Sequence, residues 1–141
     1  MRLGCELAAL FAAVATVTGV LGNESSTTDD FGCDLATTGG LPIPLLHIHG
    51  TYDATVGYQR VARGIETYRE LNRCGAVPIE TYSRGTASCV AYPCPAASNV
   101  TLCSVEGGGH EWSRTRNVVR KFQPVCMTLQ TRQPAVHSVA S

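Results

Sequence analysis

Aromatic residues make up only 6% of the 141-residue chain, with a single tryptophan, Trp112. Charge of either sign is in balance: 11 Lys and Arg face 11 Asp and Glu, for a formal net charge of zero. A chain with no basic surplus, and with no aromatics interleaved among basic residues, lacks the electrostatic and stacking groups that capture nucleic acid. Neither a nucleic-acid nor a membrane partner is expected. Long hydrophobic runs are also missing: the stretch from Leu7 to Leu21 falls short of the roughly 20 residues a membrane-spanning helix needs. The cysteines are not spaced as paired CxxC knuckles, which argues against a structural zinc site.

What the chain does have is apolar content and cysteine. At 44% hydrophobic and 141 residues it suits one domain with one core. Seven cysteines (Cys5, Cys33, Cys74, Cys89, Cys94, Cys103 and Cys126) point to a disulfide framework and an oxidising compartment, and the odd number leaves at least one without a partner in the chain. Asn23-Glu24-Ser25 and Asn99-Val100-Thr101 are glycosylation sequons, which agree with secretion. The Leu7–Leu21 stretch reads from composition equally as a signal peptide or as a buried segment: Met1-Arg2 and the small residues near Gly22 favour the first, Glu6 and the β-branched Val14, Thr16, Val17, Thr18 and Val20 the second.

Two stretches carry chemistry. Val100 to Val105 is an apolar run that leads into Gly107-Gly108-Gly109, then His110, with Trp112 beyond. Glycines admit close approach of another chain or a substrate, and an imidazole titrates near neutrality, so His110 is a candidate general base. The plainer alternative is a surface hairpin with an incidental histidine. Upstream, Leu41 to Gly50 is apolar almost without break, as in a strand buried on both faces of a parallel sheet, and Thr51, Tyr52 and Asp53 follow at once. Active-site residues of α/β folds gather at the carboxyl ends of such strands. Asp53 and His110 each stand just past one, acid before base. His47 and His49 share one face of the upstream strand; a His-x-His pair can bind metal, but in a buried strand hydrogen-bonded core histidines are the better reading.

The remaining elements frame these two. Val56 to Arg73 reads as an amphipathic helix with Val61, Ile65, Tyr68 and Leu71-Asn72 on its apolar face and an attractive Glu66–Arg69 pair on the other, ended by Gly75 and Pro78. Ile79–Ser83, Ala87–Tyr92 and Val100–Val105 read as strands. If the last two form a hairpin centred on Ala96, Cys89 and Cys103 fall opposite one another, within bridging reach, and Cys74–Cys94 becomes the second bridge. Residues 23–40 read as a surface loop with Cys33 as a candidate staple, Thr115–Phe122 as a short basic helix, and residues 123–141 as a disordered tail holding an inert His137.

His49-Gly50-Thr51-Tyr52-Asp53-Ala54-Thr55-Val56-Gly57-Tyr58 and Glu106-Gly107-Gly108-Gly109-His110-Glu111-Trp112 together resemble the polyhydroxybutyrate depolymerase and feruloyl esterase family of secreted esterases. Its members show H-G-T-x-D-x-x-V-P-Y and G-G-G-H-x-W-P-G segments, the first with the triad acid and the second with the triad histidine. The resemblance implies Asp53 as acid and His110 as base of a serine ester hydrolase, and the C-terminal half of an α/β-hydrolase over residues 1–122: an incomplete α/β domain, a parallel sheet with flanking helices. Ester substrates would be feruloylated plant polysaccharide or polyhydroxyalkanoate, no metal or organic cofactor is implied, and the parent enzyme would be extracellular. It also favours a helix at Met1–Ala8 and a strand at Phe11–Gly19 over a signal peptide. The chain departs from the pattern at Gly57, where proline is usual, and at Ser113-Arg114, where Pro-Gly is usual. It also holds no G-x-S-x-G nucleophile elbow, so the attacking serine is not among these residues. The alternatives are a catalytically dead remnant or a disulfide-rich secreted binding protein.

Overall fold

The computed structural model describes residues 8–19 and 41–110. They form one five-stranded sheet and one α-helix. In chain order these are β1 (Val14–Val17), β2 (Leu45–Gly50), α1 (Tyr58–Leu71), β3 (Ile79–Arg84), β4 (Ala87–Tyr92) and β5 (Val100–Val105). Across the sheet the order is β1-β2-β5-β4-β3. β1, β2 and β5 run parallel; β5, β4 and β3 run antiparallel.

This corrects the expected α/β arrangement, an α/β-hydrolase half with a parallel sheet and helices on its flanks. The sheet is mixed, strands dominate, and the described residues contain a single α-helix. The reason lies in connection length. Parallel neighbours need a crossover of a dozen residues or more, whereas antiparallel neighbours close over a short turn. Gly85 and Thr86 alone join β3 to β4, and residues 93–99 join β4 to β5. Only the excursion through α1, β3 and β4 is long enough to bring β5 back parallel to β2.

The helix packs on β2 and β5. Val61, Ile65, Tyr68 and Leu71, the apolar face read from the spacing, close over Ile43, Leu45 and Val100. On the opposite face Leu46, Ala87, Cys89 and Cys103 form a second cluster. Five of the six residues of β2 are buried, as its near-continuous apolar run predicts for a central strand. Asn72, at the end of α1 and only 1% exposed, joins three segments: its Nδ2 donates to the carbonyls of Ile43 and Ser98, both at 2.7 Å, and its Oδ1 accepts from the Ile43 N–H at 3.1 Å. A buried amide is tolerable because its bonds are made.

Both expected disulfides are present. Cys89 and Cys103 face each other in the β4–β5 register and are bridged, and Cys74–Cys94 ties the end of α1 to the β4–β5 connection. Among the described residues no helix is long and apolar enough to cross a membrane. The expected helix at Met1–Ala8 lies outside the described residues except at Ala8, which is in a turn. The loop of residues 23–40, the basic helix Thr115–Phe122, the tail, Ser113-Arg114 and the remaining three cysteines lie outside them as well.

Candidate active site

Gly50 and Val105 are paired in the parallel register of β2 and β5, so the two strands end side by side. The segments that follow then meet residue by residue. The Thr51 N–H donates to the Val105 carbonyl at 3.0 Å, and the Gly107 N–H donates to the Thr51 hydroxyl oxygen at 2.9 Å. The Tyr52 N–H donates to the Gly108 carbonyl at 2.9 Å. Asp53 and His110 close the series. Two glycines make this possible. Gly107 holds φ +71°, a left-handed angle that L side chains rarely adopt. A Cβ on Gly50 would lie 2.2 Å from the Gly108 oxygen and 2.4 Å from its carbonyl carbon. The two motifs that carry the family resemblance are thus in direct contact through their backbones.

Asp53 is buried, and both of its oxygens are used. Oδ1 accepts the N–H groups of Thr55, at 2.9 Å, and Val56, at 2.8 Å, a local turn of the kind aspartate favours. Oδ2 faces His110 Nδ1 at 2.8 Å and His49 Nε2 at 3.1 Å. Burial pushes the carboxyl pKa up, but the Val56 N–H, the His110 ring and the Thr55 N–H together outweigh it and hold Asp53 below its ordinary 3.8. The group is therefore a carboxylate at neutral pH, and a carboxylate only accepts. His110 must then carry its proton on Nδ1, which leaves Nε2 with a basic lone pair. Among the described residues that Nε2 has no partner, and the His110 side chain is 40% exposed where that of Asp53 is fully buried. The geometry is that of a histidine oriented by a carboxylate and open to a reacting group on its far side.

Behind the pair lies a buried polar row. His47 and His49 are both 0% exposed, with rings stacked 5.2 Å apart. Thr16 Oγ1 lies 2.6 Å from His47 Nδ1, His47 Nε2 lies 3.1 Å from His49 Nδ1, and His49 Nε2 lies 2.9 Å from the Val56 carbonyl. Burial, with a smaller contribution from the neighbouring His49, lowers the His47 pKa to about 4, so this ring is neutral at neutral pH. Beside the row, the Tyr58 and Ser104 hydroxyls bond at 2.5 Å.

The two residues singled out from the sequence, Asp53 and His110, are thus brought into contact from positions far apart in the chain. Gly57 does not distort the loop: its φ of −55° is one that a proline ring would also impose. Sequence reasoning did not find Thr51 as the acceptor for the glycine turn, nor Thr16 as the start of the polar row. The alternation of His47 and His49 was the only signal for that row, and it names a strand face without naming the strand beside it. Comparison with known proteins finds no family model that matches the chain and no curated protein that matches its sequence.

Proposed function

We propose that the chain supplies the acid and base of a serine-type carboxylic ester hydrolase of the secreted feruloyl esterase and polyhydroxyalkanoate depolymerase kind. The observation that carries this reading is the 2.8 Å contact between buried Asp53 and half-open His110 at the joined ends of β2 and β5. In this reading the attacking serine belongs to residues outside these 141, since no G-x-S-x-G occurs among them. The serine hydroxyl attacks the ester carbonyl while His110 Nε2 takes its proton. That proton passes to the departing alcohol as the acyl-enzyme forms, and water then releases the acid by the same steps in reverse roles. Asp53 holds the Nδ1–H tautomer and stabilises the imidazolium formed in each step. The two disulfides support an oxidising, extracellular setting.

Sequencing the full-length message across its 5′ end tests this. The expected result is an in-frame upstream G-x-S-x-G. A message that starts at Met1 removes the nucleophile. Asp53 and His110 would then be relics, and a disulfide-stabilised binding protein would be the better reading.

A further inference from the structure

We infer that His49, backed by His47 and Thr16, is a positioning residue that fixes Asp53 for His110. The inference rests on the reading of Asp53 and His110 as acid and base, and extends it to a buried row that starts on another strand.

The direction of every hydrogen bond in the row follows from one fixed acceptor. The Val56 carbonyl can only accept, so His49 Nε2 carries a hydrogen aimed at the Val56 oxygen at 2.9 Å, and the same nitrogen lies 3.1 Å from Asp53 Oδ2. A neutral imidazole has one N–H, so His49 Nδ1 accepts, and His47 Nε2 must donate to it across 3.1 Å. His47 Nδ1 is then an acceptor as well, and the Thr16 hydroxyl donates to it across 2.6 Å. Thr16 and His47 are paired in the β1–β2 register, which places this hydroxyl beside the ring. A neutral ring suits His47, which is fully buried and stacked on its neighbour, where a charge is costly.

The consequence falls on Asp53. Its Oδ1 is held by two backbone N–H groups, one of them from Val56, whose carbonyl His49 holds, and its Oδ2 bonds His110 with the His49 ring packed 3.1 Å away. Without His49, the Val56 peptide would lose its anchor and Oδ2 the ring packed against it, leaving room for reorientation. With it, the carboxylate stays aimed at His110. Backbone bonds alone do not explain the row: they anchor Oδ1, whereas the oxygen that matters to His110 is Oδ2. Strand β1 therefore bears on the acid–base pair without touching it.

The test is 15N NMR of the histidines in the full 141-residue chain at neutral pH, which separates a ring N–H from a lone-pair nitrogen. The expected pattern is Nε2–H tautomers for His47 and His49 and an Nδ1–H for His110 bonded to Asp53. In His49→Phe the His110 Nδ1–H resonance is expected to be lost to solvent exchange. In His49→Gln, whose amide supplies both a donor and an acceptor, it is expected to persist. Thr16→Val removes the donor to His47 Nδ1 and is expected to move that lone-pair resonance while His47 keeps its Nε2–H, because His49 Nδ1 still accepts; an Nδ1–H tautomer in His47 would overturn the inference. This variant keeps the test decisive if His49→Phe fails to fold. A His110 signal indifferent to His49→Phe would overturn the inference. An ester assay that shows no hydrolysis while the His110 signal still depends on His49 would count against the esterase reading alone.

Discussion

Strands β1, β2 and β5 run parallel and carry a row of polar side chains, from half-buried Thr16 to buried His47, His49 and Asp53. Strands β3, β4 and β5 run antiparallel and are held by the Cys89–Cys103 bridge, with Cys74–Cys94 stapling the connection between β4 and β5. β5 belongs to both halves and leads to His110. One half is ordered by hydrogen bonds that only a matched set of side chains can make. The other is ordered by covalent bonds that tolerate irregularity: Ala96 and Ala97 both hold positive φ, at 54° and 57°, beside Cys94. The division separates chemistry from anchorage. The parallel half sets proton positions, and the antiparallel half holds in place the strand that leads to His110.

The largest effect is expected from the parallel half at Gly50. Gly50→Ala would drive a methyl group into the Gly108 carbonyl, and the obstructing atoms are backbone, so no side chain can give way. The loss of stability should reach or exceed the top of the roughly 1–3 kcal/mol range of overpacked cores. Thermal denaturation should show the loss, and the Asp53–His110 hydrogen bond should vanish from the NMR spectrum. Next comes the antiparallel half. Cys89→Ala with Cys103→Ala opens a loop with a sequence separation of 14 and should cost about 3 kcal/mol in urea denaturation, while the His110 Nδ1–H signal survives. If the bridge proved dispensable, or if its removal abolished the His110 signal at unchanged stability, the division between the halves would be wrong.

The third prediction concerns pH. His47 has a folded pKa of about 4 against its ordinary 6.5. Between these values the unfolded chain binds more protons than the folded one, so stability rises with pH across that window. It should be complete above the ordinary value and fall by up to about 3 kcal/mol as pH drops to 4. Asp53, held below 3.8, adds a second loss at still lower pH, because its contribution is present above that value and disappears as the folded carboxylate is protonated. Denaturation midpoints measured against pH should show the upper window, and His47→Gln should flatten it. The smallest effect is expected at Gly57, whose φ of −55° and open surroundings admit a ring. Gly57→Pro should stabilise by roughly 0.4–1 kcal/mol by restricting the unfolded chain, with the site unchanged.

Local signals placed the elements well. The spacing of Val61, Ile65, Tyr68 and Leu71 found α1, and the bounds of β4 and β5 follow from their flanking turns. The equal distances of Cys89 and Cys103 from Ala96 gave the hairpin register and with it the bridge. The sheet as a whole departs from the α/β pattern that the resemblance implies, because Gly85-Thr86 and residues 93–99 leave no room for crossover helices. Asp53 and His110 were legible because each follows an apolar strand and sits in a recognisable motif. Thr16 was not. Its role depends on β1 lying beside β2, a pairing that no periodicity in either strand encodes.

The most direct measurement is hydrolysis of a feruloyl ester and a hydroxybutyrate ester by the protein encoded by the complete message, compared with its His110→Ala and Asp53→Asn variants. The account predicts turnover of at least one ester and a fall in kcat on the order of 10⁴-fold for Asp53→Asn, with a comparable or larger loss for His110→Ala. Hydrolysis that survives both substitutions would contradict it, because the pair could then be neither the acid nor the base of the reaction.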